Sequence, residues 1–312
     1  MSEEARPIKR SKHSRRELAV RIIRDIRGHP ANSARPNAAA LRAAAWQVRK
    51  RLGRRQLDMN AYGLDLQFPG NSGSASNLVY FGECYEWEEI NFIRSYLQPG
   101  DVVVDVGANV GMFTYAALQC VLPGGKVHAF EPTPWAAETI RHNLERNRII
   151  DDAHVYELAA SDRDGIVRFT ADRDVSNHIE FLSPESNFPS KDFIDVPAAT
   201  LDSLLPGQTT LSLAKIDVEG SETKVLSGFL RHLRSANPPV VLIEIHDHPL
   251  RMMGSSRSEV MAILADNGYE ALMFNVEARR LTPLPQTWRG GVVALHEKDR
   301  GRLRSRLQSS DR

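Results

Sequence analysis

"DVVVDVGANVGMF", residues 101–113, is the stretch on which the fold turns. An apolar run from Val102 to Val106, interrupted only by Asp105, gives way to the turn Gly107-Ala-Asn109-Val-Gly111 and then to helix-forming residues. A short continuous apolar run bounded by turn residues is the pattern of a strand covered on both faces. A glycine turn between strand and helix lets backbone approach a ligand closely and aims helix N-terminal amides at it.

The alternation extends outward. Helices are expected near 85–97, 111–122, 134–147, 200–205, to about 234 and at 256–267. Between them lie the strands "KVHAFE", "HVYELAA", "LAKIDVEG", "VVLIEIH", "EALMFN" and "GVVALHE", with a variable stretch at 171–199. Strands alternating with helices of this length predict an α/β fold with a mostly parallel sheet covered on both faces. The last two strands, joined by a loop, should pair antiparallel.

Upstream, Ser14 and Glu17 form a capping-box signature before Leu18, Ile22, Ile23 and Ile26 at helical spacing. Asn37 can cap a second, Ala-rich helix, and residues 57–81 alternate like a β-hairpin broken by "PGNSGSASN". The division expected is a basic helical extension (1–56), a hairpin lead-in (57–83), the main domain (84–298) and a basic tail (299–312).

The net charge of +1 hides an asymmetry: residues 1–60 carry 16 Lys/Arg against 5 Asp/Glu, leaving 24 against 34 for the rest. Such a basic arm can contact nucleic acid or an anionic surface, or can simply be solvated. No run of about 18 apolar residues is present, which excludes a membrane-spanning helix. Two cysteines, no N-x-[ST] sequon and no apolar stretch behind "MSEEARPIKR" suit the cytoplasm.

A dinucleotide site would place glycines at 107, 109 and 112, but the chain has Asn109 and Met112. The turn therefore suits a nucleoside better than a pyrophosphate. Glu131 ends the next strand, 24 residues after Gly107, where an acid accepts hydrogen bonds from ribose hydroxyls. Ser161 and Asp162 end the third strand, where an adenine edge would lie.

In "LAKIDVEG", Lys215, Asp217 and Glu219 alternate with Ala214, Ile216 and Val218, so the three charges share a face. On a covered strand unpaired charges cost several kcal/mol each. They belong near the strand's carboxyl end, facing the crevice where open α/β sheets bind ligands. Glu244 and His246 repeat the pattern on the next strand, so Asp217, Glu219, Glu244 and His246 should converge beside the nucleoside.

"GDVVVDVGANVGMFT", "VHAFEPTP", "LAASDRDG", "VPAATLDSLLP", "AKIDVEGSETKVLSG" and "VVLIEIH" resemble, in order and spacing, the FkbM family of S-adenosylmethionine-dependent methyltransferases. The likeness covers about residues 84–247. It implies a class I methyltransferase fold, a seven-stranded sheet ordered 3-2-1-4-5-7-6, and O-methylation of a sugar, glycolipid or polyketide-like acceptor. It implies that Asp105, Gly107, Asn109 and Gly111 hold the methionine part of the cofactor, Glu131 the ribose and Asp162 the adenine. Thr133 and Ser221 stand where the family more often has Asn and Ala.

His246 or Asp217 is the expected base for a hydroxyl acceptor; alternatively Asp217, Glu244 and His246 surround a divalent cation such as Mg²⁺. Acceptor recognition is expected in the 171–199 loop, including Asn177 and His178, and in the loop after His246. N-methylation, or a non-catalytic nucleic-acid or membrane adaptor using the basic arm, are the competing readings.

Overall fold

The computed structural model describes residues 15–52, 56–70, 72–170, 179–180, 193–207, 209–285, 288 and 290–309. Ser14, Asn177 and His178 lie outside them.

The chain opens with α1 (Arg15–Gly28) and α2 (Pro36–Arg51), followed by the hairpin β1 (Gln56–Ala61) and β2 (Leu64–Pro69), then α3 (Gly73–Phe81) and α4 (Trp87–Tyr96). The alternating part runs β3 (Val102–Val106), α5 (Met112–Val121), β4 (Lys126–Phe130), α6 (Pro134–Arg146) and β5 (Ala153–Tyr156). A smaller set follows: β6 (Ala159–Ala160), β7 (Gly165–Thr170), β8 (Ile179–Glu180), β9 (Phe193–Ala199) and the short α7 (Leu201–Leu204). The alternation resumes with β10 (Leu213–Ile216), α8 (Glu222–Ser227), α9 (Leu230–Leu233), β11 (Val240–Ile245), α10 (Asp247–Met252) and α11 (Arg257–Asp266). It ends with β12 (Tyr269–Asn275), β13 (Arg280–Pro283), β14 (Gly290–His296) and α12 (Arg300–Ser309).

The main sheet has eight strands in the order β13-β12-β14-β11-β10-β3-β4-β5. With β13 set aside, numbering its strands along the chain and reading from β5 gives 3-2-1-4-5-7-6. The seven-strand expectation is corrected by one edge strand. Residues 276–279 make a tight return, with Arg279 at φ 47 and the Ala278 amide donating to Asn275 Oδ1, and this sets β13 beside β12. The unexpected strand, "RLTP", carries Arg280 and Pro283, which an edge strand tolerates because it need not be apolar or donate every amide.

Three other sequence expectations change. Residues 73–81, read as the end of the turn "PGNSGSASN" and a strand after it, are helical: Ser72 Oγ accepts from the Ala75 amide, and the apolar Ala75, Leu78 and Val79 fall on a buried face. Asn37 does not cap α2: Pro36 takes the first helical position, where a missing N–H costs nothing, and Arg35 holds the N-cap position without a side-chain capping bond. The variable stretch contributes β8 and β9 to a separate four-stranded sheet, β6-β9-β7-β8, which takes the end of "HVYELAA" away from β5.

The central strands are buried on both sides. One core gathers Val103, Leu213 and Leu242 beneath α4 and α5, the other Val104, Val106, Ala214, Ile216 and Ile243. Alternation therefore puts Asp105, Lys215 and Glu244 on the first face, with Lys215 directly opposite Asp105 in the β3–β10 pairing. This placement generates the site.

Candidate active site

At the carboxyl ends of β3, β4, β10 and β11 lies a cavity of about 280 Å³, whose lining includes Gly107, Asn109, Glu131, Thr133, Asp217, Glu219 and Glu244.

The glycine turn forms its wall. Gly107 has φ +84, and a Cβ there would overlap the Asp217 carbonyl, so the turn packs against β10's end as no side-chain-bearing residue could. The turn's amides are committed internally. Gly107 and Ala108 donate to Phe130 O at 2.9 and 3.0 Å, and Asn109 donates to Glu131 Oε2 at 2.8 Å. Val110 donates to Asn109 Oδ1 at 2.7 Å and Gly111 to Ala108 O at 2.8 Å. Five successive N–H groups thus have protein acceptors and cannot form the amide cradle of a pyrophosphate. The dinucleotide alternative loses its main binding element.

Glu131 is buried, and its second oxygen accepts from the Thr133 amide at 2.7 Å. Burial raises its pKa, against the opposing hydrogen bonds from Thr133 and Asn109. Each carboxylate oxygen still has a lone pair beyond its one amide, enough for two further donors such as a ribose diol. Of the cofactor candidates, Gly107, Asn109 and Glu131 line the cavity, whereas Asp105, Gly111, Ser161 and Asp162 do not. Asp105 lies beneath it, accepting from Thr114 Oγ1 at 2.6 Å. Gly111 caps α5 at φ +89, where a Cβ would sit 2.7 Å from the Tyr115 ring. The Ser161 hydroxyl donates to Asp162 Oδ1 at 3.1 Å, just past the lining residues 158–160.

Lys215 is the cation of the acidic end. Its Nζ lies 2.9 Å from Asp217 Oδ2 and 5.3 Å from the centre of the Phe113 ring. Burial opposes its charge, but Asp217, Glu86, Asp105 and Glu244 outweigh that and hold its pKa well above the ordinary lysine range.

Glu86, Tyr85 and Glu222 belong to this neighbourhood and were missed in the sequence. Glu86 precedes α4 and lines the cavity; burial, opposed by Lys215 and reinforced by Asp217 and Glu244, moves its pKa to about 7. Burial, and then the charge of Glu86, raise the pKa of the Tyr85 hydroxyl well above the ordinary tyrosine value. Glu222 accepts from the Gly220 amide at 2.9 Å, and its burial also gives a pKa of about 7. Nothing in "CYEWEE" separates Glu86 from the acids that ordinarily begin a helix.

His246 stands outside the cavity, in an adjoining open cleft with Asp247, His248 and Arg251; Glu219 borders both spaces. His246 Nε2 lies 2.6 Å from Glu244 Oε1. Burial lowers the imidazole's pKa, but the Glu244 hydrogen bond and charge, with Glu219 and Asp217, raise it above the usual value. Glu219, held at φ 49, has its own pKa moved to about 7 by burial and then by Asp217 and Glu244. The strand tips thus bring Lys215, Asp217, Glu219 and Glu244 together and join His246 through Glu244. Among the described residues no three or more His, Cys, Asp or Glu side chains are grouped to hold a metal ion, so the cation alternative gains no support.

Two buried polar atoms of lining residues, Glu86 Oε2 and Thr133 Oγ1, have no hydrogen-bond partner among the described residues. One lies at the acidic end and one beside Glu131. A ligand with a cationic end and a hydroxyl-bearing nucleoside end fits this donor and acceptor set, as S-adenosylmethionine has.

A family model described as the methyltransferase FkbM domain matches residues 105–271. The chain is 30% identical over 234 residues to the 31-O-demethyl-FK506 methyltransferase FkbM of Streptomyces tacrolimicus, covering 64% of this chain and 83% of that one. It is 29% identical over 163 residues to the hexuronic acid methyltransferase AglP of Haloferax volcanii, covering 52% and 62%. The solved structure of methyltransferase FkbM from Methylobacillus flagellatus aligns with 82% of this chain and 59% of its own, at a TM-score of 0.42 and 15% identity.

Proposed function

Because the chain belongs to the FkbM family of S-adenosylmethionine-dependent methyltransferases, we propose that it methylates a hydroxyl of a sugar, glycolipid or polyketide-like acceptor. The observation that carries the choice of oxygen is the Glu244–His246 pair, in which Glu244 lines the cofactor cavity and His246 the adjoining open cleft. A neutral hydroxyl is a weak nucleophile, and a positioned base contributes roughly 10²–10⁴-fold to its transfer. The names of the two relatives, a 31-O-demethyl-FK506 and a hexuronic acid methyltransferase, support an oxygen-rich acceptor.

In this reading Glu131 takes the ribose diol, Thr133 a neighbouring polar group, and the Gly107 turn the close approach of the nucleoside. Glu86, beside Lys215, takes the methionine end, while Asp217 faces the acceptor and helps Glu244 set the charge around His246. The cofactor supplies a methyl group already activated on sulfur. The protein then has to align the acceptor oxygen and remove its proton. Glu244 holds His246 Nε2, which leaves Nδ1 to accept that proton. Since His246 keeps its own proton above the usual imidazole pKa, turnover rises with pH as the free base forms.

The test is calorimetry of the full chain with S-adenosylhomocysteine and NAD in parallel, followed by transfer of labelled methyl into cell extract. S-adenosylhomocysteine binds the wild type and fails to bind Glu131→Ala. His246→Ala and Asp217→Asn retain binding and lose turnover, and His246→Ala removes the rise with pH. Label recovered on amines would redirect the acceptor class. Normal turnover in both variants, or NAD binding without S-adenosylhomocysteine, would remove the proposal.

A further inference from the structure

Helix α2 has two apolar faces. Ala39, Ala43 and Trp46 are buried, with Trp46 Nε1 donating to Ser76 Oγ of α3 at 3.0 Å. On the opposite side, Leu41, Val48 and Leu52 recur at spacings of seven and four and are 72%, 57% and 76% exposed. Arg49 and Arg51, both exposed, flank that outer stripe. On α1, Ile26 is fully buried while Val20 and Ile23 are 59% and 46% exposed, next to exposed Arg24 and Arg27.

From Val20 to Leu52 the sequence has eight basic residues, Arg21, Arg24, Arg27, Arg35, Arg42, Arg49, Lys50 and Arg51, against the single acid Asp25. Asp25 is itself within 3.8 Å of Arg21. Scattered exposed leucines need no account, but aliphatic side chains aligned on one helix face with a cationic border do.

We propose that this outer face of α1 and α2 docks on an anionic lipid surface. The chemistry matches at both levels. Aliphatic side chains enter the boundary between headgroups and acyl chains, while the flanking arginines meet lipid phosphates. A single-stranded nucleic acid would instead be expected to use aromatic stacking platforms, and the exposed large apolar side chains of these two helices are all aliphatic. The arrangement also has a consequence for the site. Helix α3 lies against α2 on one side and supplies Ser74 and Asn77 to the cavity on another. Packed helices lie about 8–10 Å apart, so a docked chain holds its cavity roughly one helix layer from the lipid surface.

The test uses the full chain in co-sedimentation with vesicles of phosphatidylcholine alone or mixed with phosphatidylglycerol, with thermal unfolding as the folding control. The wild type sediments with the anionic vesicles and stays in solution with the neutral ones. Arg49→Gln with Arg51→Gln weakens partitioning about 10- to 30-fold, at about 1 kcal/mol per basic residue. Leu41→Ser, Val48→Ser and Leu52→Ser together abolish it without moving the melting temperature. The proposal is overturned if anionic vesicles fail to capture the wild type, or if the serine triple still sediments, since that would be adhesion by charge alone. It is equally overturned if the triple instead abolishes binding to single-stranded RNA or dissociates a dimer of this chain.

Discussion

Lys215 provides the sharpest test of how the site is held together. Replacing it by Met keeps the length and apolar stem but removes the cation that Asp217 contacts at 2.9 Å and that also faces Glu86, Asp105 and Glu244. Asp217 is only 24% exposed and Asp105 is fully buried, so water replaces little of the lost charge. Breaking a buried pair by deleting one partner costs about 3–5 kcal/mol, and that is the expected loss above pH 8. Burial already pushes the carboxyls of Glu86, Asp105 and Glu244 upward against the pull of Lys215, so they rise further in the variant. An acid with a raised folded-state pKa contributes stability that is complete below its unfolded pKa, near 4, and is lost as pH rises through the folded value. The penalty of Lys215→Met is therefore largest at alkaline pH and shrinks toward pH 5. Urea unfolding at several pH values measures it. Adding Asp217→Asn to the variant recovers part of the loss at high pH. A penalty that is flat with pH, or a double variant no more stable than Lys215→Met, would show that Lys215 acts through packing and not as the counter-charge of the cluster.

Gly107→Ala places a Cβ on the Asp217 carbonyl at φ +84, which costs roughly 1–2 kcal/mol in conformation before the overlap is added. The turn must move, so both the urea midpoint and S-adenosylhomocysteine affinity fall; a wild-type affinity would refute the close approach of turn and strand. Glu89, whose oxygen packs against Gly291, has a pKa of about 8 because of burial and then Glu86. Its fold-stabilising protonation is lost between the unfolded value near 4.5 and about 8, so Glu89→Gln raises stability more at pH 8 than at pH 6. Equal gains at the two pH values would mean that the carboxyl is not the source.

The main sheet was legible because its strands answer to strong constraints. A covered strand must be apolar throughout, so charges at Lys215, Asp217 and Glu244 stand out against Leu213, Ile216 and Ile243, and the cost of burying them forces them to the crevice and to one another. The same logic found the glycine turn, where backbone geometry tolerates almost no other residue. It did not find β13, which lies at an edge where charge is harmless, nor α3, whose small polar residues suit a turn as well as a helix against Trp46. Glu86 was hidden for a different reason. Its carboxyl meets Lys215 from a sequence distance of more than one hundred residues, and at the start of α4 an acid is already explained by the helix dipole. Position along the chain reveals a charge when its local element makes it costly. When the local element makes the charge cheap, only the packing of α4 over the sheet shows that Glu86 shares the face of Asp105, Lys215 and Glu244.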